Sequence, residues 1–439
     1  MINIENKSPT VALETHGCKL NQADTLKLIG EFEKNGVKVV GLNDQPNVYV
    51  LNSCTVTHIA DRKARQSLRS AKKRNPNSIV VASGCYAERA KSDLMEVEEI
   101  DLVLGNSDKH KLVSTVLNYF SSKLIVKPGL DEVQNISAEK FRTRAMVKIQ
   151  EGCDQVCAYC IVPIVRGRER SLLPETIIEN IQRLVDSGFK EVVLTGTQLG
   201  TYGFDLNGIN LAELIEKILR ETDVTRLRVS SIQAHEIDLD LLKLWKNDRL
   251  CSHFHVPLQS GSDNILKMMR RRYTVDQYVA SIQMIEKYVN SPSITTDLIV
   301  GFPGEQESHF EESKILCADL NFLKLHVFKY SDRFRTSSYY NKNKISSQVK
   351  SRRANVIRTI SNDKWNLFAD KSFGRIEEVL WEKPEIVDGK HFWSGHTKNY
   401  LKVYMDDRDL DLANTITNVN LDRRIEDKIF ATSVLETNT

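Results

Sequence analysis

The 439-residue sequence has no apolar run of the length that crosses a bilayer, which excludes a helical membrane span. Coiled-coil heptads and low-complexity blocks are absent too. The stretch from Met1 to Pro9 is polar and carries an acid, so it does not read as a secretory signal, and a cytoplasmic protein is expected. Charge of one sign is missing: the net value of +3 points to no particular partner. Cysteine is scarce, with eight residues in all, too few for a disulfide framework in a chain of this size. Without a signal peptide, those eight are expected to be reduced, metal-bound or catalytic. What remains is ordinary for a globular chain, 41% hydrophobic and 27% charged. The length suggests about two to four folding units with sizeable cores.

Four β-like runs open the sequence, Val11 to Thr15, Val48 to Asn52, Ile79 to Ser83 and Leu102 to Gly105. Between them Asp24 to Lys34, His58 to Lys73, Ala87 to Val97 and Lys109 to Tyr119 carry apolar residues at helical spacing. Strands alternating with helices imply parallel βαβ units, hence a doubly wound sheet in a domain spanning 1–120. Cys18, Cys54 and Cys85 each stand just past one of the first three strands, 36 and 31 residues apart, about one βαβ unit each time. They should therefore meet at the carboxyl edge of the sheet, where such folds place ligands. Taken singly each would more often be a small buried hydrophobe; their recurrence argues otherwise.

After a linker expected at 121–144, six more strands are expected: Ala145 to Gln150, Glu191 to Thr195, Arg226 to Ser231, His253 to Leu258, Ile294 to Val300 and Leu323 to Lys329. Helical stretches lie between them, so 145–370 reads as a partial (β/α)6 barrel whose active face is built by the loops after the strands. From 371 to 439 short alternating runs predict a small all-β barrel.

Directly after the first barrel strand, Glu151-Gly-Cys-Asp-Gln-Val-Cys-Ala-Tyr-Cys160 packs three thiols into eight residues. Soft thiolates in so short a loop suit three corners of an iron-sulfur cubane, leaving one iron open. A zinc site is the alternative; it normally needs four ligands, and no nearby fourth Cys or His supplies one.

The Cys-x-x-x-Cys-x-Tyr-Cys pattern resembles the signature of radical S-adenosylmethionine enzymes. Its neighbours Cys160-Ile-Val-Pro-Ile-Val-Arg-Gly-Arg-Glu-Arg-Ser171, Leu194-Thr-Gly-Thr-Gln-Leu-Gly-Thr-Tyr-Gly203, His255-Val-Pro-Leu-Gln-Ser-Gly-Ser262 and Asp297-Leu-Ile-Val-Gly-Phe-Pro-Gly304 are similar to those of the methylthiotransferase family, over about residues 10 to 435. The resemblance implies two 4Fe-4S clusters, one on Cys153, Cys157 and Cys160 and one on Cys18, Cys54 and Cys85. It also implies S-adenosylmethionine used twice, once as methyl donor and once as a radical source that opens an inert carbon-hydrogen bond. A sulfur donor and a reductant protein such as flavodoxin or ferredoxin are implied as partners. Tyr159 is expected against the adenine, and Gly196, Gln198, Ser231 and Gln259, at the ends of barrel strands, are candidate cofactor contacts. Cys251 and Cys317 fall outside both sets and read as core.

The runs Thr15-His-Gly-Cys-Lys-Leu-Asn-Gln-Ala-Asp-Thr25 and Asn52-Ser-Cys-Thr-Val-Thr-His-Ile-Ala-Asp-Arg-Lys-Ala-Arg-Gln66 are most similar to the branch that acts on N6-threonylcarbamoyladenosine at position 37 of tRNA. The alternatives are isopentenyladenosine in tRNA, a ribosomal protein, or a non-catalytic iron-sulfur protein that binds RNA or carries electrons. Arg62, Lys63, Arg65 and Arg69 form a basic run that suits phosphates, although such runs are often only a solvated helix face. The terminal β module resembles a TRAM-like RNA-binding domain, in which Lys398, Tyr400 and Lys402 would supply phosphate contacts and a stacking surface, although an aromatic such as Tyr400 at strand spacing is more often core. One departure is plain: Tyr330-Ser-Asp-Arg-Phe-Arg-Thr336 has Arg335 where the family commonly has glycine.

Overall fold

The structure, a computed structural model, describes residues 9–123, 143–406 and 411–434. Two compact units are distinguished, one holding Met1–Phe141, Glu151–Arg170 and Ser331–Thr336, the other Arg142–Gln150, Ser171–Tyr330 and Ser337–Thr439. Most of the expected linker at 121–144 lies outside the described residues.

In the first unit, β1 (Thr10–Thr15), β2 (Lys38–Val39), β3 (Val48–Ser53), β4 (Ile79–Gly84) and β5 (Leu102–Leu104) form one parallel sheet in the order β2-β1-β3-β4-β5. Side chains alternate across it, as a strand requires. Val48 and Val50 join a core with Leu28, Phe32 and Val116, whereas Tyr49 and Leu51 join another with Ala64, Leu68 and Tyr86. Helices thus cover both faces, and β3 and β4 are buried along their whole length. The order reverses between β1 and β3, which makes their carboxyl ends the switch point of the sheet.

Two local expectations are corrected. The short strand β2 offers only two residues, too few for alternation to register. The helix expected from Ala87 to Val97 is two pieces, Cys85–Arg89 and Lys91–Met95, because Ala90 between them has a non-helical backbone (φ −127°, ψ 41°).

In the second unit, strands Arg144–Lys148, Glu191–Thr195 and Arg226–Val229 pair in parallel, as do His253–His255, Ser293–Val300 and Lys324–Lys329. Bridges Leu227↔Leu250 and Ser231↔His255 join the two sets. The six strands therefore run in sequence order, the partial barrel expected. Among the described residues no pairing links the first strand to the last. Flanking helices begin where the sequence caps them: Asn210 caps Leu211–Glu221 in a capping box with Glu213 of its first turn, and Thr274 caps Val275–Tyr288 in one with Gln277. Ser347–Asp370, a helix of 24 residues with a mostly polar surface, was not visible in the apolar pattern.

The strands Ile376–Val387, Lys390–Thr397, Lys402–Met405, Ile416–Ile425 and Lys428–Ser433 close a five-stranded barrel. Its segment 396–400 packs under the amino ends of the (β/α) strands. There Glu191, Arg226 and Arg228 are fully buried. Arg228 grips Glu191 at 2.7 and 3.1 Å and donates to the Lys398 carbonyl at 2.9 Å. Arg226 donates to Glu378 at 2.8 Å and to the His396 carbonyl at 3.1 Å. Burial alone would raise the Glu191 carboxyl, but Arg228, with Arg144 and Arg226 behind it, holds it at about 2.

Candidate functional site

The three N-terminal cysteines stand where β1, β3 and β4 end. Cys18 precedes helix α1 (Lys19–Lys34), Cys54 lies in the turn before α2 (His58–Arg74), and Cys85 opens α3 (Cys85–Arg89). Two glycines permit this crowding. A Cβ on Gly17 (φ +124°) would stand 2.5 Å from the Cβ of Cys54, and one on Gly84 (φ +89°) would meet the side-chain oxygen of Asn52 at 2.5 Å. Backbone and amide donors face the sulfurs: Val56 N–H points to Cys54 Sγ at 3.4 Å, and Asn106 Nδ2 to Cys85 Sγ at 3.4 Å. Burial, then Cys18 and Cys85, push the Cys54 thiol up to about 12. Cys18 is exposed as a residue, yet the atoms packed round its sulfur raise that thiol too.

The second cysteine loop is pinned at its neck. Cys153 N–H donates to the Gly167 carbonyl at 3.1 Å, and Gly152 (φ +80°) lies so close to Arg168 that a Cβ there would be 1.9 Å from its carbonyl oxygen. Within the loop, Gln155 N–H points to Cys153 Sγ at 3.4 Å and Cys160 N–H to the Cys157 carbonyl at 3.1 Å. Cys153 is buried, and burial pushes its thiol up to about 11; Cys157, Tyr159 and Cys160 are half-buried. Val156 beside them is exposed.

This donor chemistry fits two cubanes, three soft thiols in each set with N–H groups aimed at sulfur. A metal centre binds such residues as thiolates, so cluster binding must draw the proton from the raised thiols of Cys18, Cys54 and Cys153. No three Cys, His, Asp or Glu side chains among the described residues gather as ligands of a single metal ion would. Cubane thiolates bind separate irons and need not converge on one point.

Both cysteine loops fall within the first unit, and the other cofactor candidates fall in the second apart from Tyr159. Gly196 and Gln198 follow strand Glu191–Thr195. Gln198 is buried and exchanges hydrogen bonds with Gln150, its backbone N–H donating to Oε1 at 2.9 Å and its carbonyl accepting from Nε2 at 2.8 Å. Its side chain bonds Glu236 and Gln233, and Arg271 donates to Gln233 at 2.7 Å. Ser231 pairs with His255 across the strand ends. Gln259 holds a left-handed backbone (φ +66°) beside Leu298. Sequence reasoning did not single out Gln233 and Glu236, which follow strand Arg226–Val229, or Arg271, which follows helix Asp263–Met268, because no cysteine-like signal marks them.

The basic residues divide. Arg62, Lys63 and Arg69 are exposed on α2, whereas Arg65 is bonded to the hydroxyl of Tyr86. Tyr400 is the candidate that the structure turns inward: its ring stacks on His253 at 4.5 Å, with the guanidiniums of Arg228 and Arg144 at 4.9 and 5.4 Å. Tyr400 itself is half-buried. Lys398 and Lys402 pair with Glu378 at 3.5 Å and Glu385 at 2.8 Å. Arg335 is exposed and takes the left-handed backbone (φ +72°) that a glycine there would favour.

Comparison with known proteins agrees with this geometry. Residues 147–316 match the radical SAM superfamily, and residues 10–105 match the uncharacterized protein family UPF0004. A radical S-adenosylmethionine methyltransferase from Kitasatospora setae, with cobalamin and a 4Fe-4S cluster bound, shares the fold, with TM-score 0.57 at 14% identity over 76% of this chain and 77% of that one. The fold and cysteine loop thus define a radical S-adenosylmethionine enzyme, with that cofactor and 4Fe-4S clusters. The threonylcarbamoyladenosine tRNA methylthiotransferase MtaB of Bacillus subtilis (strain 168) is 35% identical over 90% of each chain. That of Aquifex aeolicus (strain VF5) is 39% identical over 83% of this chain and 91% of its own length. The tRNA-2-methylthio-N(6)-dimethylallyladenosine synthase of Geobacillus kaustophilus (strain HTA426) is 32% identical over 86% and 74%. The chain belongs to the radical S-adenosylmethionine tRNA methylthiotransferases.

Proposed function

We propose that the protein adds a methylthio group to C2 of N6-threonylcarbamoyladenosine at position 37 of tRNA. The observation that carries this reading is the likeness to relatives named for that nucleoside, 32–39% identical over most of both chains, beside 32% for those named for dimethylallyladenosine. Three domains share the work, at 1–120, 145–370 and 371–439.

In this reading Cys153, Cys157 and Cys160 hold the cluster that engages S-adenosylmethionine, and Cys18, Cys54 and Cys85 hold the second. When bound, these groups supply a radical able to open an inert carbon-hydrogen bond and the sulfur that replaces the hydrogen. The chain's own residues do the rest. Gly152 and Gly167 fix the cysteine loop, and Tyr159 packs against the adenine. Gly196, Gln198, Ser231 and Gln259 line the strand ends where the cofactor's polar groups are held, and Gln198 is oriented by Gln150 and Glu236. Arg62, Lys63 and Arg69 meet tRNA phosphates, and a cytoplasmic reductant protein and sulfur donor complete the cycle.

Mass spectrometry of tRNA nucleosides from a deletion strain tests the assignment. Loss of 2-methylthio-threonylcarbamoyladenosine alone, restored by the gene, is expected. Loss of the isopentenyladenosine derivative instead, or an unchanged tRNA, would overturn it.

A further inference from the structure

Arg166 ends the helix Val162–Arg166, which begins two residues after Cys160. Its guanidinium is nevertheless held by helix α1 and by Glu151. Nη1 donates to Glu151 at 2.6 Å and to Asp24 at 3.3 Å, and Nη2 to Asp24 at 3.3 Å and to Asn21. The side chains of Arg166 and Asp24 are 2% and 1% exposed. Asp24 also takes Lys109 at 2.8 Å, whose ammonium lies 3.4 Å from Asn52. Asn21 follows Cys18 by three residues, and Asn52 precedes Cys54 by two. On its apolar side the same helix packs Val165, with Ile161 before it, against Cys85.

A buried ion pair is an expensive way to fasten a helix, since well-packed hydrophobic residues hold as well without the desolvation cost. The charge therefore calls for another account, and the three thiols supply one. Asn21 Oδ1, which accepts from Nη2 of Arg166, stands 4.0 Å from Cys18 Sγ, and Asn106 Nδ2 donates both to Cys85 Sγ at 3.4 Å and to the carbonyl of Val165, the neighbour of Arg166, at 2.8 Å. Arg166 itself is balanced in its buried position by two carboxylates, Asp24 at 3.3 Å and Glu151 at 2.6 Å.

We propose that Arg166 sets the reduction potential of the cluster carried by Cys18, Cys54 and Cys85, its fixed positive charge favouring the reduced state, which is one unit more negative. Net charge and hydrogen bonding are the levers by which a protein tunes such clusters. Arg166 acts here as a positioning and tuning residue, not as a ligand. The inference rests on the ligand assignment made above, and the test separates the two.

The test uses the full chain with Cys153→Ala, Cys157→Ala and Cys160→Ala, reconstituted anaerobically, so that the N-terminal cluster is read alone by iron analysis and EPR-monitored redox titration. About four irons per chain are expected in this background; none would overturn the ligand assignment and the tuning role with it. Adding Arg166→Gln should keep the iron and move the midpoint to a more negative potential, whereas Arg166→Lys, which keeps the charge without the fork, should stay near the background. A Gln variant with full iron and an unmoved potential overturns the proposal. If the Gln variant loses iron, the Lys variant decides: iron retained at the background potential supports the charge, and lost iron or a shifted potential overturns it.

Discussion

Gly152 and Arg168 touch at the neck of the cysteine loop, where a Cβ on the glycine would stand 1.9 Å from the arginine carbonyl oxygen. Backbone cannot yield as a flexible side chain can. Gly152→Ala must therefore open the neck and part Cys153 N–H from the Gly167 carbonyl. Iron retained at the 153 loop should fall by at least half, with the N-terminal sheet intact by circular dichroism. Full iron content would refute the pinning role.

The two cysteine sets should lose iron independently. Cys54→Ala and Cys157→Ala are each expected to retain about half the wild-type iron after reconstitution. Only Cys157→Ala should abolish 5′-deoxyadenosine formation from S-adenosylmethionine under a strong reductant. Equal loss of that product in both variants would contradict the division of labour.

Asp61 fastens the segment 331–336 to the Cys54 turn. It accepts from Arg333 at 2.6 Å, Thr55 at 2.6 Å and Arg89 at 3.0 Å, and is buried with Arg333. Removing one partner of a buried charge pair costs about 3–5 kcal/mol. Asp61→Asn should lower the unfolding free energy by that order and loosen the iron bound through Cys54; an unchanged denaturant midpoint would count against it.

Arg335 carries the cost of a left-handed backbone, about 1–2 kcal/mol for a residue with a Cβ. Glycine would remove it while losing roughly 0.4–1 kcal/mol to the unfolded chain. Arg335→Gly should thus leave stability unchanged or raise it by up to about 1 kcal/mol. A lower thermal midpoint would mean that the arginine side chain itself braces the loop.

Glu191 gives the protein an acid-sensitive point. Its carboxyl is held at about 2 against an ordinary 4.5, so the stability it contributes is complete above 4.5 and is lost as pH falls from there towards 2. Glu191→Gln should cost about 3–5 kcal/mol at neutral pH, because Arg228 and Arg226 lose their buried anion. It should also flatten the acid limb of a stability-versus-pH curve, and an unaltered limb would show that other carboxyls govern it.

These contrasts show which features the chain made legible. Cys18, Cys54 and Cys85 could be found because each follows a strand at a regular interval, and strand alternation and helix period are local signals. Asp24 and Lys109 could not, since 85 residues separate them and each alone looks like a surface charge. Arg226 and Arg228 gave no warning either, because charged residues alternating in a strand normally mark a wet face.

The ionic layer under the barrel has a consequence for how this chain can be divided. Ending it near 370 would strip Arg226 of Glu378 and the His396 carbonyl, and Arg228 of the Lys398 carbonyl, leaving guanidiniums at the bottom of an apolar shell with water entering behind them. The small terminal barrel is in that sense the keel of the larger one. Shortened enzymes made to dispense with it would founder before their chemistry could be assayed.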